Sequence, residues 1–259
     1  MNHQKRCGLI LSWIVKFAFI LNLLEDTYNK STIFTYIKWP VVILALYSHN
    51  MTSLTQPGII RTKMVKKKTP DVKQQDSYWK KYVSEKHGNV LYPPTAHWCS
   101  VQGAMVMRMD HFCPWTNSTI GLFNFKPFFL FCIYSWFTCL FTIVNSIFRE
   151  KLCYVDRTYC IYNKNLFYLC ILNLIISTFG FIFTFIMTIE CVKSIYYDAA
   201  YIDRLKNIHH HKNCCKTFHL LMGTWFFIPS VYHKNINIYF NNEIKNNIQM
   251  LQKYDIYSE

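Results

Sequence analysis

The chain has 259 residues, a formal net charge of +14, and 52% hydrophobic but only 16% charged residues. A soluble domain carries about 25% charged residues, and here the apolar residues are clumped into runs separated by basic segments. This arrangement excludes an ordinary soluble domain. It also argues against a nucleic-acid partner, which would call for basic and aromatic residues gathered on one soluble module.

In chain order, four stretches are predicted to cross a bilayer, each by the need for about 20 mostly apolar residues. The first is Gly8–Leu24, which carries Lys16. Lys5 and Arg6 precede it as in a signal peptide, but no small-residue cleavage site follows, so a retained helix is predicted. The second is Ile33–Asn50, with Lys38 and a kinking Pro40 inside it. Both lysines are expected to lie near helix ends or to reach them by snorkelling. The third, Pro127–Phe148, and the fourth, Leu166–Ile189, contain no charged residue.

The connections set the orientation. Thr55 to Lys126 is rich in Lys and Arg, including Lys63 to Lys68, and the segment after Glu190 is basic too. By the positive-inside rule both termini and the central loop are predicted to be cytosolic. The expected organisation is therefore an all-α integral membrane protein. Transmembrane helices 1 and 2 fall in 8–50, a cytosolic core loop in 51–126, helices 3 and 4 in 127–190, and a cytosolic tail in 191–259. The location expected is a multi-pass site in an endomembrane (endoplasmic reticulum or Golgi) or in the plasma membrane.

The eleven cysteines follow no regular CxxC framework, so a disulfide scaffold is not expected. Cys132, Cys139, Cys170 and Cys191 lie in or beside apolar runs, where a free Cys acts as a small hydrophobe. Cys153 and Cys160 fall in the predicted lumenal loop and have the option of pairing. Asn117-Ser118-Thr119 matches a glycosylation acceptor, but a cytosolic loop does not meet that machinery. His209 to Cys215, "HHHKNCC", has no metal-finger spacing and reads as a solvated loop.

The chemistry concentrates in "DHFCPWTNSTIG", Asp110 to Gly121. A thiol becomes a nucleophile as its thiolate, a neighbouring His can take its proton, and a carboxylate can fix the imidazole tautomer. Asp110, His111 and Cys113 supply these groups as a candidate catalytic trio. Three residues alone do not separate this from a buried turn beside Trp115.

The longer stretch does. "CSVQGAMVMRMDHFCPWTNSTIGLFNFKPF", Cys99 to Phe128, resembles the core of the DHHC protein S-acyltransferases, the palmitoyltransferases. Trp115, Asn117, Gly121 and Asn124 stand at family motif positions. "TQPGII" at Thr55 resembles the family's Asp-Pro-Gly motif. "MTIE", with Thr188 and Glu190, resembles its Thr-Thr-x-Glu motif. "NCCKTF" from Asn213 resembles its C-terminal Asn-plus-aromatic motif, and "MGTWFFIP" the segment that follows. The resemblance runs from about Gly8 to Pro229.

The resemblance implies four membrane helices and a cytosolic loop between the second and third. It implies an acyl-enzyme on Cys113, formed from a long-chain acyl-CoA such as palmitoyl-CoA, with His111 as base and Asp110 orienting it. Cytosolic or membrane-associated proteins would then accept the acyl group. Arg108 is a candidate for the CoA phosphates, and Glu190 and Asn213 are expected to tie the fourth span and tail to the core. The family's zinc ligands map onto Glu85, Gly88, Trp98, Cys99, Gln102, Met105, Phe112 and Thr119, where only Cys99 keeps a ligand type. Its cysteine-rich domain is thus degenerate here, and neither zinc nor another bound cofactor is expected. The alternative is an inactive member of the fold that binds or scaffolds partners at the membrane.

Overall fold

A computed structural model describes residues 3–28, 33–60, 95–155, 164–206, 214–223 and 226–229. Four long helices carry most of it: α1 (His3–Tyr28), α2 (Ile33–Leu54), α3 (Phe125–Val155) and α4 (Lys164–Tyr196). Two short helices follow, α5 (Tyr201–Leu205) and α6 (Cys214–Met222). Between α2 and α3 lie β1 (Ile59–Ile60), β2 (His97–Cys99), β3 (Ala104–Val106), β4 (His111–Cys113) and β5 (Ser118–Ile120).

Among the described residues, three helices are long and apolar enough to cross a membrane: Gln4–Leu24 in α1, Phe125–Phe148 in α3 and Cys170–Tyr196 in α4. α2 has the length, at 22 residues or about 33 Å, but lacks the apolarity. α3 is the central helix, packed along both α2 and α4. Half of its apolar window is buried, against 17% for α4. The outer faces stay apolar, with Trp13 and Phe17 on α1 and Ile175, Phe179 and Ile182 on α4 exposed. Such faces suit lipid as their solvent.

Two expectations need correction. The described chain is mostly helical, but the described part of its core loop carries a pair of small antiparallel sheets, β1-β3-β2 and β4-β5. Among the described residues no strand exceeds three residues, which is too short for a period-two pattern to show in the sequence. Residues with positive φ sit at the reversals: Gly103 (64°) between β2 and β3, Arg108 (44°) before β4, and Asn117 (50°) between β4 and β5. The second correction is Lys38. It does not snorkel; it is 1% exposed, and its Nζ lies 3.4 Å from the Asn22 carbonyl of α1. There it joins a polar cluster inside the bundle, in which Asn22 Nδ2 donates to Asn173 Oδ1 at 2.9 Å and Thr142 Oγ1 donates to Asn22 Oδ1. Bundle interiors are where membrane helices hide polar groups.

The core sits where the helices meet this loop. Ile120, Phe125, Phe128, Leu130 and Phe131 pack there with Cys113 and with Leu221 and Met222 of α6. The stretch after α2 docks onto β3 through Gly58, whose carbonyl accepts the Met107 amide at 2.9 Å. Cys160, and with it the pairing weighed for Cys153, lies outside the described residues.

Candidate active site

Strand geometry brings the thiol and the imidazole together. Residues two apart in a strand share a face, so β4 places His111 and Cys113 on one side and Phe112 on the other. Phe112 packs against a small cluster of Cys99, Val101, Val106 and Met109. β5 fixes the register by pairing His111 with Ile120, Phe112 with Thr119 and Cys113 with Ser118. The Asp110 amide extends the ladder to the Ile120 carbonyl at 2.8 Å.

Asp110 is 7% exposed, and its Oδ2 lies 2.8 Å from His111 Nδ1. That contact leaves His111 Nε2 for the Cys113 thiol. Nε2 is buried and has no hydrogen-bond partner among the described residues, so it is free to serve the neighbouring sulfur. Burial pulls His111 down, but the Asp110 carboxylate and the Cys113 sulfur raise it to about 10. Burial pushes Cys113 up, but the His111 hydrogen bond and charge, with help from Thr116, take it below its ordinary 9.0. Asp110 is likewise raised by burial and brought below its ordinary range by His111 and by the Tyr201 amide. The group can therefore rest as carboxylate, imidazolium and thiolate, a charge state suited to nucleophilic attack.

Asn124 holds the turn behind the trio. Its Oδ1 accepts the Gly121 amide at 2.9 Å, and its Nδ2 lies 2.8 Å from the Thr119 carbonyl, 3.2 Å from Ser118 Oγ and 3.3 Å from the Thr52 carbonyl of α2. Trp115 packs its ring on Phe183 of α4 at 5.3 Å, and its carbonyl pairs with His49 Nε2 of α2 at 3.0 Å. Asn117 lies against Gly8 of α1.

The other named positions lie further out. Thr188 Oγ1 donates within its own helix, to the Thr184 carbonyl at 2.8 Å. Glu190 bridges Lys193 and Arg204, each at 2.7 Å, and so links α4 to α5. Asn213 lies outside the described residues, as do His209 to Lys212; Cys214 and Cys215 open α6 and are exposed. Arg108 turns away from solvent. It is 4% exposed, and its guanidinium donates to Asp198 Oδ1 at 3.0 Å and to the Ser194 carbonyl at 3.2 Å.

From Cys113 an apolar cavity of about 510 Å³ runs between α1, α3 and α4, lined among others by Phe17, Trp115, Phe131, Ile175 and Phe183. This lies within the range of about 300–1,000 Å³ typical of ligand sites. Sequence reasoning missed the cavity, and also Ser194, Tyr201, Asp203 and His97 around Asp110. No local pattern marks residues that meet across about a hundred positions of chain.

The described donors do not fit zinc. Trp98 and Met105 face each other across β2 and β3, Phe112 lies in the apolar cluster, and the Cys99 thiol lies 3.1 Å from Thr119 Oγ1. Glu85 and Gly88 fall outside the described residues. Among those described, no three His, Cys, Asp or Glu side chains converge, and a structural zinc site takes four such ligands.

Residues 80–208 match the model of the DHHC palmitoyltransferase family. The chain is 29% identical over 175 residues to palmitoyltransferase ZDHHC3-A of Danio rerio, covering 58% of this chain and 50% of the relative. It is 28% identical over 193 residues to palmitoyltransferase ZDHHC7 of Rattus norvegicus, covering 64% and 55%. A shorter match, 44% over 58 residues, reaches palmitoyltransferase ZDHHC2 of Homo sapiens and covers 22% and 16%. The chain thus spans about half the length of the first two of these relatives.

Proposed function

Since this chain belongs to the DHHC palmitoyltransferase family, we propose that it is a protein S-acyltransferase that works through an acyl-enzyme on Cys113. The observation that carries this reading is the position of the trio: Cys113, paired with His111 and through it with Asp110, opens into the apolar cavity.

The Cys113 thiolate attacks the thioester carbonyl of a long-chain acyl-CoA whose alkyl chain lies in the cavity. CoA leaves as a thiolate and takes a proton from the His111 imidazolium. The neutral His111 then accepts the proton of a substrate cysteine, whose sulfur attacks the Cys113 thioester. Cys113 leaves as thiolate, giving ping-pong kinetics. Asp110 keeps His111 Nδ1 protonated and Nε2 aimed at sulfur.

In this reading α2 is a fourth span and the loop lies at the cytosolic face of an endomembrane or of the plasma membrane. Support comes from the basic central loop and from the burial of Lys38 against α1. There it would meet both a bilayer and substrate proteins. Arg108 belongs to the scaffold in this reading, because its charge is engaged by Asp198. Other basic residues of the cytosolic segments would attract CoA phosphates. The core works without zinc.

The test is autoacylation. Detergent-purified protein is incubated with labelled palmitoyl-CoA, as wild type, Cys113→Ala and His111→Ala, and then treated with hydroxylamine. Label that is hydroxylamine-sensitive and lost in Cys113→Ala is expected. A folded protein that takes no label above Cys113→Ala is the inactive scaffold instead.

A further inference from the structure

After α4 the chain turns back over the core loop, and the segment from Ser194 to Lys206 touches it at three points. Asp198 pairs with Arg108 at 3.0 Å. Asp110 Oδ1 accepts the backbone amide of Tyr201 at 2.8 Å, with the Ser194 hydroxyl at 3.3 Å. Asp203 is fully buried. Its Oδ1 lies 2.5 Å from His97 Nε2 in β2, and its Oδ2 accepts the Ala200 amide at 3.1 Å. Ile202, between these contacts, packs on the Cys99–Val106–Met109 cluster.

The protons on His97 follow from its neighbours. Lys206 Nζ lies 3.2 Å from His97 Nδ1, and an ammonium only donates. Nδ1 therefore accepts, and Nε2–H donates to Asp203. His97 thus bridges Lys206 and Asp203. This bridge sits beside Trp98 and Cys99, two of the positions where the family would place zinc ligands.

We propose that this segment is a metal-free clasp in which His97 and Asp203 act as positioning residues: they fix the first turn of α5, and the Tyr201 amide in turn fixes Asp110. The proposal rests on the acyltransferase reading for its kinetic readout. Asp110 has two oxygens with two tasks. Oδ2 orients His111, and Oδ1 is held by a chain segment whose own place depends on Asp203. The rigidity that zinc would give a cysteine-rich loop comes here from a backbone amide and a buried bridge.

The sharpest test deletes one hydrogen. Tyr201 is the first residue of α5, following Ala200 in extended conformation (φ −61°, ψ 161°). Proline is well accommodated there, so Tyr201→Pro removes the amide donor and leaves the helix able to form. Tyr201→Ala keeps the amide and serves as the reference. A second pair is His97→Gln, which still donates to Asp203 without charge, against His97→Ala, which does not.

All are made in the full-length protein. Autoacylation kcat and KM for palmitoyl-CoA, the iodoacetamide alkylation rate of Cys113 by mass spectrometry, thermal stability and metal content are measured. Relative to Tyr201→Ala, Tyr201→Pro is expected to lose about 10- to 100-fold in kcat with KM unchanged, and to slow Cys113 alkylation. His97→Gln is expected to retain more activity than His97→Ala. Stoichiometric zinc is not expected, and a chelator should leave stability unchanged. Equal kcat and alkylation in the two Tyr201 variants overturns the clasp, as does stoichiometric zinc whose removal unfolds the protein. Should wild type take no acyl label, the acyltransferase reading fails, and the alkylation comparison still decides the clasp.

Discussion

Gly121 lies so close under Pro57 that a Cβ on it would come 2.5 Å from the Pro57 carbonyl oxygen, 2.8 Å from Val106 Cγ1 and 3.0 Å from the Met107 carbonyl oxygen. Two of these atoms are backbone and cannot swing aside, so Gly121→Ala forces β5 away from the segment that follows α2. Overpacking of this kind costs about 1–3 kcal/mol. Asn124→Ala attacks the same turn differently, leaving the buried Gly121 amide without its acceptor, for about 1–3 kcal/mol. Both variants should melt earlier in a detergent thermal-shift assay and take acyl label more slowly. Unchanged melting in both would mean that this turn does not hold the core loop.

The pH dependence follows from opposed shifts. His111, raised to about 10, stays an imidazolium through neutral pH. Cys113, lowered from 9.0, is a thiolate beside that imidazolium above its lowered value and regains its proton as pH falls through it. Alkylation of Cys113 should titrate with a midpoint below 9 and decline as pH falls through it. In His111→Ala burial and the Thr116 hydrogen bonds remain, so the midpoint should rise and the rate at pH 7 should drop, about tenfold for each unit of rise. In Asp110→Asn the imidazolium loses the carboxylate that raises it, so the alkaline limit of autoacylation should move down from about 10. The stability signs match. His111's contribution is present below its ordinary 6.5 and lost as pH rises through about 10, and Asp110's is present above its ordinary 3.8 and lost as pH falls through its lowered value. A wild-type midpoint for Cys113 at or above 9 would sink the resting ion pair.

Arg108 separates scaffold from substrate binding. Its guanidinium meets Asp198 and the Ser194 carbonyl, and the Asp198 side chain is 24% exposed. Water can therefore recover part of what Arg108→Gln removes, and the loss should be about 1–2 kcal/mol. The expected signature is lower melting and lower kcat with KM for acyl-CoA unchanged. A several-fold rise in KM at wild-type stability would return Arg108 to the CoA phosphates.

What could be read in the sequence was local. His111 and Cys113 share a face because they are two apart in a strand, and the same alternation sends Phe112 into an apolar cluster where a metal ligand would otherwise stand. The spans of α3 and α4 were legible because no charge interrupts them. α2 was harder. Lys38 lies in the second turn of the helix, and only the fold reveals that it is satisfied by the Asn22 carbonyl. The contacts around Asp110 left no trace at all. His97 and Asp203 are separated by 106 positions, and Asp110 and Tyr201 by 91; no periodicity or spacing rule connects them. The strands of the core loop were hidden for a different reason: three residues are too few to show a period.

The cavity makes the last prediction, on chain length. Gly180 lines it on α4, one helical turn from Phe183, and a Cβ there would already lie 3.0 Å from Cys139 Sγ. A leucine at this position must project into the space between α3 and α4, shortening what the cavity holds. Each methylene excluded from an apolar site forfeits about 0.8 kcal/mol, or about four-fold in relative kcat/KM. Gly180→Leu should therefore lose autoacylation by long chains steeply while keeping it for shorter ones. A competition among labelled acyl-CoAs of graded length reads this directly, with the crossover length reporting the depth left open. A uniform loss at every length would place the acyl chain elsewhere, and the trio would then open onto a cavity that takes no part in choosing the substrate.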